Sequence, residues 1–255
     1  MRKTNLTLLK GANVISFVLT VLVNGLAGST TILGGKTTGE VSDANPTFIT
    51  PAGYVFSIWG IIYILLGIFV VFQALPSQRG EEYQERISWL FVLSSLLNIV
   101  WIFLWQFEYL TLSVVVIFML LATLIAIYLR LNVGKSIVPL SERLAVQMPF
   151  SVYLGWITIA SIANVAVALV SVVWDGFGIS QETWAILIMI IAMLITLLII
   201  ATRKDLTYGL VIIWALLGIA IKQNEKQNIV TTTAISAAII VIALIWVFII
   251  SRLKK

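Results

Sequence analysis

The segment Asn45–Gly67, NPTFITPAGYVFSIWGIIYILLG, begins as a loop rich in Pro and Thr and becomes, within a few residues, an apolar run carrying Tyr54, Phe56, Trp59 and Tyr63. The run continues to Leu75 without a charged side chain. That is long enough, as a helix, to cross roughly 30 Å of hydrocarbon. The rest of the chain repeats the pattern. Its 255 residues are 60% hydrophobic and 11% charged, the composition of an integral membrane protein. The expected fold is all-α, a polytopic membrane helical bundle. Whether the aromatic side chains of this segment are packing or a binding site is the question it poses.

Apolar segments bounded by polar clusters fall at 11–33, 53–75, 87–107, 110–130, 144–173, 183–201, 206–222 and 229–251, about eight spans. Arg2, Lys3 and Lys10 followed by an apolar run and GLAGS also fit a secretory signal peptide cleaved after Ala27, so the first span has two readings. Pro149 sits near the expected start of the fifth span, where a missing N–H costs little. Assigning loops to alternate sides puts thirteen of the sixteen Lys and Arg residues on one side, and Lys36, Lys222 and Lys226 on the other. Basic residues near span ends favour the cytoplasm, so both termini are read as cytoplasmic in the cell membrane and the loop from Gly34 to Ala52 as external.

The chain has neither His nor Cys. That removes the commonest general base, thiol nucleophiles, disulfides and the usual zinc and haem ligands other than Met or Tyr. The net charge of +5 reflects basic residues held at one membrane face and not a nucleic-acid surface. No charged residue lies clearly at the centre of a span, which argues against a proton-coupled pump. With no paired carboxylates, no nucleophile beside a base and no phosphate-binding glycine loop, no enzyme is expected, and no metal or required cofactor.

What the spans do contain is tryptophan and neutral amides. Trp89, Trp174, Trp184 and Trp246 lie near span ends and fit an interfacial belt. Others recur at helical spacing: Phe56, Trp59 and Tyr63 on the second span, Asn98, Trp101 and Trp105 on the third, Tyr153, Trp156, Ala160 and Asn164 on the fifth. Counting about 1.5 Å per residue from the outer ends puts Trp59, Asn98, Trp101 and Asn164 in one layer, with Trp105 above it and Trp156 well below. A cavity lined by them would open outward, beneath a loop containing Pro46, Phe48, Pro51 and Tyr54. Packing is the competing reading of the aromatic stripes, and interhelical hydrogen bonding that of Asn13, Asn24, Asn98 and Asn164.

NPTFITPAGYVFSIWGIIY, LNIVWIFLW (Leu97–Trp105) and YLGWITIASIAN (Tyr153–Asn164) occur in an order that resembles the TspO/MBR family, the tryptophan-rich sensory proteins and the mitochondrial translocator protein. The matching positions are Trp59 and Tyr63, Asn98 and Trp101, and Tyr153, Trp156, Ala160 and Asn164. Tyr54 stands where the family usually has Trp, Ala52 replaces a proline, and one residue is missing before Trp59. The resemblance covers about residues 10–170. It implies a five-helix domain, residues 1–173, followed by three additional helices, residues 174–255.

The resemblance further implies a sensor or binding protein for a tetrapyrrole such as a porphyrin, or for a sterol or lipid, beneath the first external loop. A transporter or flippase completed by the last three spans is the alternative. A third reading makes those spans a structural or partner-binding module, a homodimer interface among the options.

Overall fold

A computed structural model describes residues 6–253. Arg2, Lys3, Lys254, Lys255 and the side chain of Arg252, all counted above on the cytoplasmic side, lie outside the described residues. Every regular element among the described residues is helical. In order they are α1 (Leu6–Ser29), α2 (Thr38–Ala44), a 3₁₀ turn (Gly53–Ser57), α3 (Ile58–Ala74), α4 (Glu82–Ile87), α5 (Leu90–Gln106) and α6 (Leu110–Arg130). The chain continues through α7 (Leu140–Glu142), α8 (Met148–Ser171), α9 (Gln181–Arg203), α10 (Leu206–Lys222) and α11 (Gln227–Leu253).

Six helical stretches among the described residues are long and apolar enough to cross a membrane: Leu6–Ser29, Gly53–Ala74, Leu110–Arg130, Leu140–Ser171, Gln181–Arg203 and Gln227–Ser251. The apolar helices α5 and α10 have 17 residues each. At 1.5 Å per residue each is about 25 Å long, the lower limit for a span. Burial is inverted relative to a water-soluble bundle. Ile64, Val115, Leu198 and Ile242 are exposed, whereas Asn98, Ser113, Asn164 and Thr196 are almost completely buried. Apolar side chains meet lipid while polar ones find partners inside.

Three boundaries differ from the sequence expectation, each for a local reason. The loop between α1 and α3 contains α2, which opens with a capping box: the Thr37 hydroxyl accepts from the Glu40 N–H, and the Glu40 carboxylate accepts from the Thr37 N–H. The expected third span, 87–107, starts instead at Leu90: Ser88 takes a positive φ of 49°, which ends the short α4 before the span begins. The fifth begins at Leu140, so Pro149 lies inside a continuous helix of 32 residues rather than at its start. A π-helical turn over Arg143–Gln147 immediately precedes it. Widening the helix there accommodates a residue that can neither donate to nor pack against the carbonyl four positions earlier.

α5, α6 and α8 pack side by side; α1 lies against α3 and α5, and α3 against α8. α10 packs on α8, α9 and α11 and also meets the 3₁₀ turn at the end of the loop between α1 and α3. Its approach to α8 is close, since a Cβ on Gly155 would stand 3.2 Å from Val211. The Tyr208 hydroxyl donates to Thr158 nearby, at 3.1 Å. The three lysines that the charge count separates from the others all gather at the loop between α1 and α3: Lys36 pairs with Glu108, Lys222 pairs with Asp43, and Lys226 lies over the Phe48 ring.

Candidate functional site

The site begins with the way the loop is pinned. Gln106, buried at the end of α5, donates through Nε2 to the carbonyls of Ala27, Leu33 and Lys36. Gly34 makes this possible: its φ is +70°, and a Cβ there would fall 2.0 Å from the Gln106 carbonyl oxygen. Further on, the Thr47 hydroxyl accepts from the backbone N–H groups of Ile49 and Thr50.

The loop is then fastened to α10. Ala52 N–H donates to Gly218 O at 3.1 Å, Trp214 Nε1 to Val55 O at 3.2 Å, and Gln223 Nε2 to Thr47 O at 3.1 Å. Gly218 is again a close-approach glycine, for its Cβ would lie 2.1 Å from Val55 Cγ2.

Beneath the loop, α3, α5 and α8 bring the eight residues singled out by spacing into one cluster. Trp59 is its centre. It stacks on Tyr63 and Trp101, with ring centroids 5.7 and 6.0 Å apart, and meets Tyr153 and Trp156 edge-on, each at 6.2 Å. Trp156, expected well below this layer, is therefore part of it, because its long side chain reaches from α8 to the Trp59 ring. Phe56 completes the edge contact on Trp156 at 6.0 Å.

The amides orient the rings. Asn24 on α1 donates to Asn98 Oδ1 at 2.6 Å, and Asn98 donates to the Tyr153 hydroxyl at 2.9 Å. Trp101 Nε1 donates to Asn164 Oδ1 at 2.8 Å, and Asn164 donates to Ser113 Oγ at 2.9 Å. Asn13 donates to Gln73 at 2.9 Å. All four Asn side chains are thus interhelical or helix-anchoring bonds, and two of them also fix the aromatic cluster.

Two polar atoms in the cluster are left over. Tyr63 Oη and Trp156 Nε1 are buried without a hydrogen-bond partner among the described residues, a state that costs about 1–3 kcal/mol per group and is uncommon in native proteins.

The cluster separates two spaces of very different size. Between α3, α5 and α8, Trp59, Trp101, Trp105, Trp156, Ala160 and Asn164, with Pro51 and Ser42 above, enclose about 30 Å³. Ligand pockets hold about 300–1,000 Å³, so the rings fill most of their own site. On the other face of Trp59, a groove of about 450 Å³ runs between α1 and α3. Asn24, Gly25, Gly28, Tyr63 and Phe56 line it, and residues of α2 close one end. A Cβ on Gly25 or Gly28 would meet nothing within 4 Å. Among the described residues, no Asp, Glu, Lys or Arg side chain lines either space.

The loop residues divide. Pro51 is a lid over the enclosed cavity. Phe48 faces a separate cavity of about 390 Å³ between α8 and α9, beside Trp174 and Trp184. Pro46 is exposed and lines none of these spaces. Tyr54 packs edge-on against Trp214, with centroids 5.4 Å apart, and so contacts α10 and not the cluster. Of the belt residues, Trp89 and Trp246 are exposed, while Trp184 donates to Gly176 O at 2.9 Å and packs on Trp174.

Sequence reading passed over Gln106, Ser113 and Trp214. Gln106 and Ser113 carried a usable signal, a polar side chain in or at the end of an apolar run. Trp214 is the lone indole of an otherwise aliphatic span.

A family model described as TSPO-like protein matches residues 10–247, a stretch that continues through α9 and α10 and most of α11. The three last helices, to which the motif resemblance assigned no counterpart, lie largely inside the match. No curated protein and no solved structure matches the chain.

Proposed function

The chain belongs to the TSPO-like protein family, and on that premise we propose that it is a multi-pass membrane sensor or binding protein for a flat hydrophobic ligand, a tetrapyrrole such as a porphyrin or else a sterol or lipid. In this reading all eight apolar helices span the cell membrane, both termini are cytoplasmic and the loop over the cluster is external. The observation that carries it is a stacked aromatic cluster that retains two buried, unpartnered polar atoms, Tyr63 Oη and Trp156 Nε1.

A flat ring sliding between Trp59 and Trp101 exchanges one ring stack for two, so opening the cluster sacrifices little aromatic contact. Polar groups on the ligand satisfy the two orphaned atoms. Access runs from the α1–α3 groove: movement of Trp59 joins its volume to the enclosed cavity. The charge-free lining suits the conjugated body, and acidic substituents remain toward the loop, where Lys36 lies.

Titrating the purified protein with protoporphyrin IX tests the reading: saturable quenching of tryptophan emission is expected, and linear, non-saturating quenching would refute it. Transport is the second reading, favoured by α10, which touches the loop at one end and α8 through Tyr208 farther along. Porphyrin flux in proteoliposomes supports it, and binding without flux excludes it.

A further inference from the structure

At the opposite end of the bundle from the loop lies a cavity of about 380 Å³ that the aromatic site does not use. Its walls are tied together from four segments. The α6–α7 loop touches the α9–α10 turn so closely that a Cβ on Gly134 (φ +77°) would fall 1.7 Å from Arg203 O. Arg203 itself donates to Val133 O, and the buried Gln147 donates to Ser136 Oγ at 2.8 Å.

Asp205, also buried, joins the turn to α6 and α8. One carboxylate oxygen accepts from Ser151 and Tyr128 at 2.6 and 2.9 Å, and the other from the N–H groups of Thr207 and Tyr208. Four donors leave this carboxylate fully occupied. Arg143 and Lys204 line the same space, and neither has a carboxylate within ion-pair distance among the described residues. On its remaining side the cavity meets an apolar wall that includes Met148, Leu206 and Val247.

We propose that this cavity binds the headgroup of an anionic phospholipid, with Arg143 and Lys204 on the phosphate and an acyl chain along the apolar wall. The lining carries two positive charges and one negative one, so a phosphodiester, with a single negative charge, neutralises it. Cationic pockets between membrane helices are suited to such headgroups, and each basic side chain near the surface strengthens the attraction. Because the cavity is bounded by both α8 and the α9–α11 segment, the lipid would brace their junction.

Native mass spectrometry of the full-length protein, exchanged into phosphatidylglycerol or phosphatidylcholine, tests the assignment. The protein is expected to retain one phosphatidylglycerol with about thirtyfold preference over phosphatidylcholine, as two surface cations would give. The double variant Arg143→Gln with Lys204→Asn should lose that preference, and Arg130→Gln should keep it. Asn suits the left-handed backbone at position 204 (φ 54°), so that variant is expected to fold. Lys204→Asn alone, expected to lose about half of the preference on a logarithmic scale, repeats the test with the smallest perturbation. Equal preference in the wild-type and variant proteins would overturn the proposal. Thermal stabilisation by inorganic phosphate alone, lost in the double variant, would assign the cavity to a soluble anion and overturn the lipid.

Discussion

The first eight helices and the last three are held together differently. Between α1, α5, α6 and α8 the contacts are directional: amide to amide, amide to phenol and indole to amide, across rings that stack on one another. Among α9, α10 and α11 the contacts are mainly small and aliphatic. Gly209 sits against Leu244 and Ile200, and Ala185, Ala192 and Ala215 are buried. Directional contacts specify one arrangement of side chains, whereas small-residue packing specifies only close approach. The last three helices gain specificity where they leave their own group, at the tie between α10 and the loop and at the bonds of Tyr208 and Asp205. Under the proposed function, recognition falls to the first region and the hold on the loop above it to the second.

The strongest way to break that assignment is at the tie itself. Gly218→Val drives a side chain into Val55 and should cost about 3 kcal/mol, the upper range for overpacking. Lipid-facing Ile195→Val on α9 should change stability by less than about 0.5 kcal/mol. Thermal denaturation in detergent compares them, and equal melting temperatures would dissolve the tie.

Asn98→Leu should cost about 1–2 kcal/mol, because it strands the Tyr153 hydroxyl and breaks the bond from Asn24, which keeps only Thr20 O. A variant as stable as wild type would make the amide chain incidental.

Trp214→Phe keeps an aromatic ring beside Tyr54 but removes the N–H bonded to Val55, and should cost about 1 kcal/mol or less. Its signature is faster amide exchange around residues 52–57 with no change in α5. Exchange accelerated equally in both segments would mean that α10 does not act on the loop specifically.

The smallest effect concerns pH. The Glu40 carboxyl is held below its ordinary range by the Thr37 backbone N–H and hydroxyl, which bond its ionised form. A depressed carboxyl contributes stability that is present above its ordinary value and lost as pH falls through the lowered one. Amide exchange in α2 should therefore rise in acid, and Glu40→Gln should remove the dependence.

Much of the first region was legible because its chemistry is carried by rare residue types at helical spacing. Period put Trp59, Tyr63, Asn98, Trp101, Tyr153, Trp156, Ala160 and Asn164 on three helix faces, and depth together with the family resemblance drew those faces toward one place. Two things could not be read that way. Depth counted from span ends located backbones and not side-chain reach, so Trp156 was set too low. Pairing across helices is a property of tertiary contact, and nothing in the loop's sequence announced that Ala52 and Val55 would bond to α10. Tyr54 shows the same limit: its substitution looked like a change in the pocket, yet its ring lies against Trp214. Pro149 was misplaced because a π-helical turn lets a helix continue through a proline that ordinarily marks its start.

The central claim, that the Trp59 cluster is a binding site and not only packing, is tested most directly by protoporphyrin IX titrations of Trp59→Leu, Trp101→Leu and Trp156→Leu beside the exposed-belt controls Trp89→Leu and Trp246→Leu. Each cluster substitution is expected to weaken binding about tenfold, the loss of roughly 1.4 kcal/mol of ring contact, while the controls bind as wild type. Affinity unchanged across the three cluster variants would contradict the account.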